Sequence, residues 1–399
     1  MIHAARCACH EIESVFDEST CGLEELLESL LEAAGPGLFR ANAFRVVGLS
    51  AHARESEIRK QADKLQFVAR HGGGTASTVG PLPLDPPPVE EMVGEAIQRL
   101  RDPERRFIDE FFWFWPEAAL GKKDPALLAL SNHDIDLAIR IWTEEAVASE
   151  DCGRAVHNLA VMFHTLALDI EHAKQTETVS KKLGKVQYSY WCKGLAHWQT
   201  VLADDHFWRQ VNARVLELND PRLTASTTQQ MRTALPSILL VINAQIAAQA
   251  SARGAPLEAA QYRRLMQESG FAVDLVEEAC GRAARQIRDS ISSMCKATGQ
   301  EAARDATTAD EGARRLLEQA RPLLASIDVL LDNGAAMGDE VRDEVATTVT
   351  DCLFLFCNER GNWKVALELL ELTRPCAVSL AVRERLDYLR AEFLRSAYR

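Results

Sequence analysis

An all-α fold is what this sequence predicts, and three observations carry the prediction. The strong helix formers Ala, Leu, Glu and Arg are abundant in a chain that is 47% hydrophobic and 26% charged. After Pro116 nearly every segment with clear periodicity repeats at three or four residues, and no period-2 run bounded by hairpin turns occurs. The length, 399 residues, exceeds what one hydrophobic core usually organises, so two or three domains or one elongated helical array is expected.

Charge and cysteine usage narrow the partners. A formal charge of -13 argues against nucleic acid or an anionic membrane as the main partner, because both require a basic face. The ten Cys residues are scattered through helical patterns, and "MIHAARCACHEIES" lacks the apolar core of a secretion signal, so a reduced, cytoplasmic chain is expected. The longest apolar stretch, "ILLVINAQIAAQA" from Ile238, reads as too short and too rich in amides to span a bilayer.

The elements follow in order. Residues 1–36 form an acidic segment in which Leu23, Leu26, Leu27, Leu30 and Leu31 fall at helical spacing among Glu24, Glu25, Glu28 and Glu32, until "GPG" stops the helix. Residues 37–118 form a small module. "LFRANAFRVVGL" reads as helical, with Phe39, Ala43, Val46 and Val47 on one face and Gly48 permitting the turn. "ESEIRKQADKLQFVARHG" sets Ile58, Ala62, Leu65 and Val68 on one side and Arg59, Lys60, Lys64 and Arg70 around the other. The Gly- and Pro-rich run 71–88 is a loop. A third helix aligns Val89, Met92, Val93, Ala96, Ile97 and Leu100 and breaks at "RDP", where Asp102 suits an N-cap and Pro103 a first helical turn.

"NAFRVVGL" (42–49), "SEIRKQADKL" (56–65) and "EAIQRLRDPERRFID" (95–109) resemble the successive helices of a J-domain. In that family a His-Pro-Asp tripeptide after the second helix activates ATP hydrolysis by DnaK-type chaperones. Here the corresponding place reads "ARHGGGTAS", with His71 and no Pro-Asp. The resemblance implies docking to a DnaK-type chaperone through the basic face Arg59, Lys60 and Lys64, and leaves stimulation of its ATPase in doubt. Charge on an exposed helix is also the ordinary outcome for a solvated face.

"DEFFWFWP" (109–116) places five aromatic side chains in consecutive positions. At helical spacing Phe107, Phe111, Phe114 and Trp115 cover more than half a helix circumference, and each ring carries roughly 150–250 Å² that favours burial. One small module has no room for that, so Phe111, Phe114 and Trp115 are expected to dock it onto the helices after Pro116.

Residues 119–399 read as helical hairpins. "DIDLAIRIWTEEAVASEDCGRAVHNLAVMFHTLALD" (134–169) resembles the junction of two tetratricopeptide repeats, with Ala155, Asn158, Leu159, Ala160 and Phe163 at pattern positions. "CNERGNWKVALELLELTRP" (357–375) resembles the same repeat through Gly361, Trp363, Ala366, Leu367 and Pro375. Between them the 34-residue period is not kept, which implies an irregular α-solenoid of the kind that grips extended peptides or helices.

Chemistry has little support. His157 and His164 lie seven residues apart on one helix face and read as packing residues, and His172 completes no metal site. Cys7, Cys9 and His10 of "CACH" lack a second ligand pair, and Cys352 and Cys357 read as core thiols. "HGGG" at 71–74 imitates an esterase oxyanion loop but has no G-x-S-x-G elbow, and "LGKV" at 183–186 lacks the residues of a phosphate-binding loop. No catalytic residue, metal or cofactor is expected. The two resemblances together imply a non-enzymatic, bacterial-type cytoplasmic co-chaperone-like adaptor, its J-like module touching a DnaK-type chaperone and its repeats holding a protein client. The alternative is a scaffold whose J-like module makes no chaperone contact. The sequence leaves the oligomeric state open.

Overall fold

A computed structural model describes residues 30–31, 34–70, 80–117, 124–148, 152–176, 180–331 and 336–397. The described residues are all helical, with no strand among them. The chain divides into two compact units, Met1–Leu239 and Leu240–Arg399. The expected boundary at 118/119 falls inside the first of these, and the acidic leucine-rich segment before Leu30 lies outside the described residues.

From Ala34 on, the described residues of the first unit form, in order, α1 (Ala43–Val47), α2 (Glu55–Arg70), α3 (Glu90–Arg101) and α4 (Pro103–Phe111). Helix α1 is shorter than the periodicity of 38–49 predicts. Asn42 adopts φ -55°, ψ 125° and its Oδ1 accepts from the N–H groups of Phe44 and Arg45, so the helix starts there and residues 36–41 turn. It stops at Gly48, whose φ of +72° is left-handed. Asp102 caps α4 by accepting from the N–H groups of Glu104 and Arg105 at 3.1 Å, with Pro103 at the first position. Ile58, Ala62 and Leu65 of α2 are buried, as are Ala96, Ile97 and Leu100 of α3.

Five further helices continue the unit: α5 (Pro125–Ser131), α6 (Ile135–Ala148), α7 (Gly153–Thr176), α8 (Lys181–Ala203) and α9 (Asp205–Glu217). Helices α7 and α8 pack along their length as an antiparallel pair. Phe163 stacks on His197, and the Gln187 Nε2 donates to the Ala167 carbonyl at 3.0 Å. Gly153 opens α7 where a Cβ would lie 2.4 Å from Asp204 Oδ2 and 2.7 Å from Phe207 Cβ, so no larger residue fits. Helix α7 has 24 residues and α8 has 23, each longer than half of a 34-residue repeat.

Helix α10 (Ala225–Ala252) runs across the division between the units. Its 28 residues, with a mean hydropathy of 1.4 in its most apolar window, are long and apolar enough to cross a membrane. This differs from the sequence expectation, which took only the stretch from Ile238. Burial covers 67% of that window, including Ile238, Leu239, Ile242 and Ala247, as in the central helix of a protein core.

The second unit contains α11 (Pro256–Gln267), α12 (Val273–Arg304), α13 (Ala309–Leu330), α14 (Ala336–Arg360), α15 (Trp363–Thr373) and α16 (Leu380–Ala397). Helices α12, α13 and α14 pack against one another through Ile291, Ala313, Leu316, Ala320, Val345, Val349 and Leu353. Gly361, at φ +65°, turns the chain into α15, whose Ala366, Leu369 and Leu370 join the same core. Cys352 and Cys357 are buried in it as free thiols, and burial pushes them up to about 11 and about 12.

Candidate protein-docking surface

Helix α2 forms because its apolar residues recur at three and four positions, and that spacing decides what its other face shows. With Ile58, Ala62 and Leu65 inward, Arg59, Lys60 and Lys64 point to solvent. Arg59 pairs with Glu55 one turn earlier at 2.5 Å, both side chains being mostly exposed. Neither Lys60 nor Lys64 has a partner among the described residues. The three residues therefore share one exposed face. His71 and the rest of "HGGG", like Cys7, Cys9 and His10, lie outside the described residues.

The aromatic run behaves differently from its predicted helical spacing. Helix α4 ends at Phe111; the Phe112 N–H closes it on the Ile108 carbonyl, and residues 113–117 continue outside the helix. All five rings from Phe111 to Trp115 are buried all the same. Phe111 stacks on Trp198 and Trp208 at 6.0 and 5.6 Å, Phe114 stacks on Trp142 at 5.3 Å, and Trp115 lies 5.5 Å from Phe207. A straight helix would have pointed Phe112 and Trp113 away from its apolar stripe, whereas a non-helical segment lets neighbours face different helices.

That segment needs partners for its backbone, and α7 supplies them. The Asn158 side-chain amide donates to the Trp115 carbonyl and accepts from the Trp115 N–H, both at 2.8 Å. His157 Nε2 donates to the Phe111 carbonyl at 2.7 Å. Its buried Nδ1 has no partner, and burial pushes His157 down to about 4, so the ring is neutral. His164 accepts the Trp198 indole N–H at Nδ1, and burial pushes it to about 3. Ala155, Leu159, Ala160 and Phe163 are buried on the same helix. Among the described residues no group of three or more His, Cys, Asp or Glu is placed to hold a metal ion.

A set of buried charges lies beside the rings, and sequence reasoning missed it. Glu110 is fully buried; Arg214 from α9 donates to both of its oxygens, and Arg106 Nε and His52 Nε2 stand 3.8 and 3.7 Å away. Burial raises the Glu110 pKa against the pull of Arg214, and burial followed by the Arg214 charge pushes His52 down to about 4. Asp109 is pushed up to about 6 by burial, opposed by Arg99 at 2.6 Å and the Ala43 N–H at 3.0 Å. Arg45, buried in α1, grips Asp169 of α7 at 2.6 and 3.1 Å, and Arg222 reaches Asp102 and Glu104. The signal available was two carboxylates, Asp109 and Glu110, directly before the aromatic run. The same arrangement joins residues 40–115 to α7 and α9 through charge pairs as well as rings.

Comparison with protein-family models, with curated proteins and with solved structures gives no match to this chain.

Proposed function

We propose that this protein is a non-enzymatic adaptor that touches a DnaK-type chaperone through α2 and holds a protein client on its later helices. The observation that carries this reading is the exposed face of Arg59, Lys60 and Lys64 on α2, in a stretch whose sequence resembles the second helix of a J-domain. A basic helix face recognises an acidic groove by steering and by short-range pairing, both weakened by salt. The missing Pro-Asp after His71 separates docking from ATPase stimulation, so the adaptor binds without accelerating hydrolysis.

A second reading is favoured by one observation. The rings of Phe111, Phe114 and Trp115 and the Glu110–Arg214 pair fasten residues 40–115 to the following helices, which suits a scaffold whose first helices serve packing alone. Surface plasmon resonance against a purified DnaK-type chaperone separates the two. The adaptor reading expects binding that weakens with salt and falls about tenfold or more in the Lys60→Glu, Lys64→Glu double variant, with unfolding unchanged. Absence of binding by the unaltered protein discards the adaptor and leaves the scaffold.

A further inference from the structure

A cavity of about 430 Å³ opens where the first turns of α2 face the passage from α3 into α4. Its volume lies in the range of small-ligand pockets. One wall is apolar, formed by Ile58, Ala62 and Leu100, all buried in the module, with Leu218 from the end of α9. The lining also includes Arg59, Arg101 and Arg106 with a single carboxylate residue, Glu55.

The lining carries three arginines against one carboxylate. Glu55 is committed to Arg59. Arg101 has no side-chain partner among the described residues. Arg106 gives Nη2 to the Ala53 carbonyl at 2.7 Å, while its buried Nε makes no hydrogen bond. The carboxylate nearest that Nε, Glu110 at 3.8 Å, is already held at both oxygens by Arg214. The exposed, unpartnered guanidinium of Arg101 beside the apolar residues favours a carboxylate in a fork geometry next to an aliphatic group. The whole chain carries -13, so a polyanion is repelled at long range and an acidic ligand must gain its affinity at short range from both walls.

We infer that this cavity binds an acidic, leucine-type peptide segment, with a carboxylate on Arg101 and Arg106 and the adjoining aliphatic side chain on Ile58, Ala62 and Leu100. The site shares only Arg59 with the helix face described above, and it holds whether or not a chaperone is contacted. A free phosphate offers nothing to the apolar wall and is the weaker ligand.

Fluorescence anisotropy on the full chain tests it, with a labelled short peptide alternating Glu and Leu. The site expects saturable binding that weakens with salt and falls about tenfold or more in Arg101→Glu. Arg101→Ala gives a smaller loss in the same direction, and both variants are checked for unchanged unfolding. Peptides alternating Glu and Ser, or Lys and Leu, bind about tenfold or more weakly. Lys60→Glu with Lys64→Glu weakens the Glu–Leu peptide less than Arg101→Glu does, which separates this site from the chaperone-facing lysines. Equal binding by Arg101→Glu and the unaltered protein overturns the inference. So does equal affinity for the Glu–Ser peptide, or complete displacement by stoichiometric inorganic phosphate.

Discussion

The two compact units bury different chemistry. In residues 1–239 the buried polar groups include Arg45, Asp109, Glu110, Asp124, His157, Asn158, His164 and Glu171, set among stacked indoles and phenyl rings. Among the described residues of 240–399 they are Asn243, Ser251, Ser326, Thr350 and Thr373, and the surrounding core is mainly Ala, Val and Leu. Thr350 and Thr373 donate to Thr347 and Leu369 within their own helices, and of these hydroxyls Ser326 also reaches a distant carbonyl, that of Ala248 on α10. The first unit therefore relies on directional pairs between distant segments, which specify one docking geometry and cost much when halved. The second relies on close approach of small side chains, where the loss on truncation follows buried volume. All ten His residues and six of the seven Trp residues lie in the first unit, so tryptophan emission and protonation both report on it.

The sharpest break in this contrast is Glu110→Ala, which leaves Arg214 and Arg106 buried around an empty site and costs about 3–5 kcal/mol. Replacing both partners, Glu110→Leu with Arg214→Met, recovers part of that loss, because no unpaired charge remains at that pair. In the second unit Leu353→Ala costs about 2–5 kcal/mol, with no rescue available from a partner change. Urea unfolding of the single and double variants, followed by tryptophan emission and far-ultraviolet circular dichroism, checks both. A double variant as unstable as Glu110→Ala would show that ring packing, and not the charge pair, carries the cost.

Acid sharpens the comparison with a smaller effect. His157 and His164 have folded values of about 4 and about 3, below their ordinary 6.5, so the unfolded chain binds more protons in between. Their contribution to stability is full above about pH 6.5 and is lost as pH falls through that window. Asp109 acts the other way. Raised from 3.8 to about 6, it keeps its proton longer when folded, so its contribution is full below 3.8 and is lost as pH rises toward 6. Glu110, also raised, adds to Asp109, and His52 adds to the histidines with a discount for its exposed third. The histidines prevail, and the first unit gains stability from about pH 4 to 6.5 with a slope of order 1.4 kcal/mol per pH unit per proton. Urea midpoints by tryptophan emission across that range are expected to rise, less steeply in His164→Gln and more steeply in Asp109→Asn. A falling midpoint would assign the dominant titration to the carboxylates.

The smallest effect belongs to the exposed ion pairs of the second unit. Arg315 and Glu301 stand 2.8 Å apart with both side chains about 60% exposed. Arg315→Ala is expected to change stability by about 0–1 kcal/mol and to lose even that in high salt. A larger change in urea midpoint would show that the second unit also depends on directional pairs.

Much of the helical order was legible because its determinants are local. Gly48 and the Asp102-Pro103 step act within three or four residues of themselves, and the inward set Ile58, Ala62 and Leu65 follows from a period of 3.6. The same reasoning carried too far at the two ends of the first module. Helical spacing was read through Phe39 and through Trp115, yet the Asn42 cap cut the first and long-range packing ended the second at Phe111. The basic face of α2 was legible for the reason its apolar face was. The cavity beside Arg101 was not, since it needs Leu218 from a helix more than a hundred positions away.

By itself, then, the sequence determined that the chain is helical, where α4 begins, and that five consecutive rings must be covered. Tertiary structure alone decided what covers them and which charges meet beside them. Phe111 meets Trp198 and Trp208, and Glu110 meets Arg214 at a separation of 104 positions. The reason is physical: caps and periodicity are settled by neighbours along the chain, whereas burial of a ring or a carboxylate is settled only when distant helices dock and water leaves.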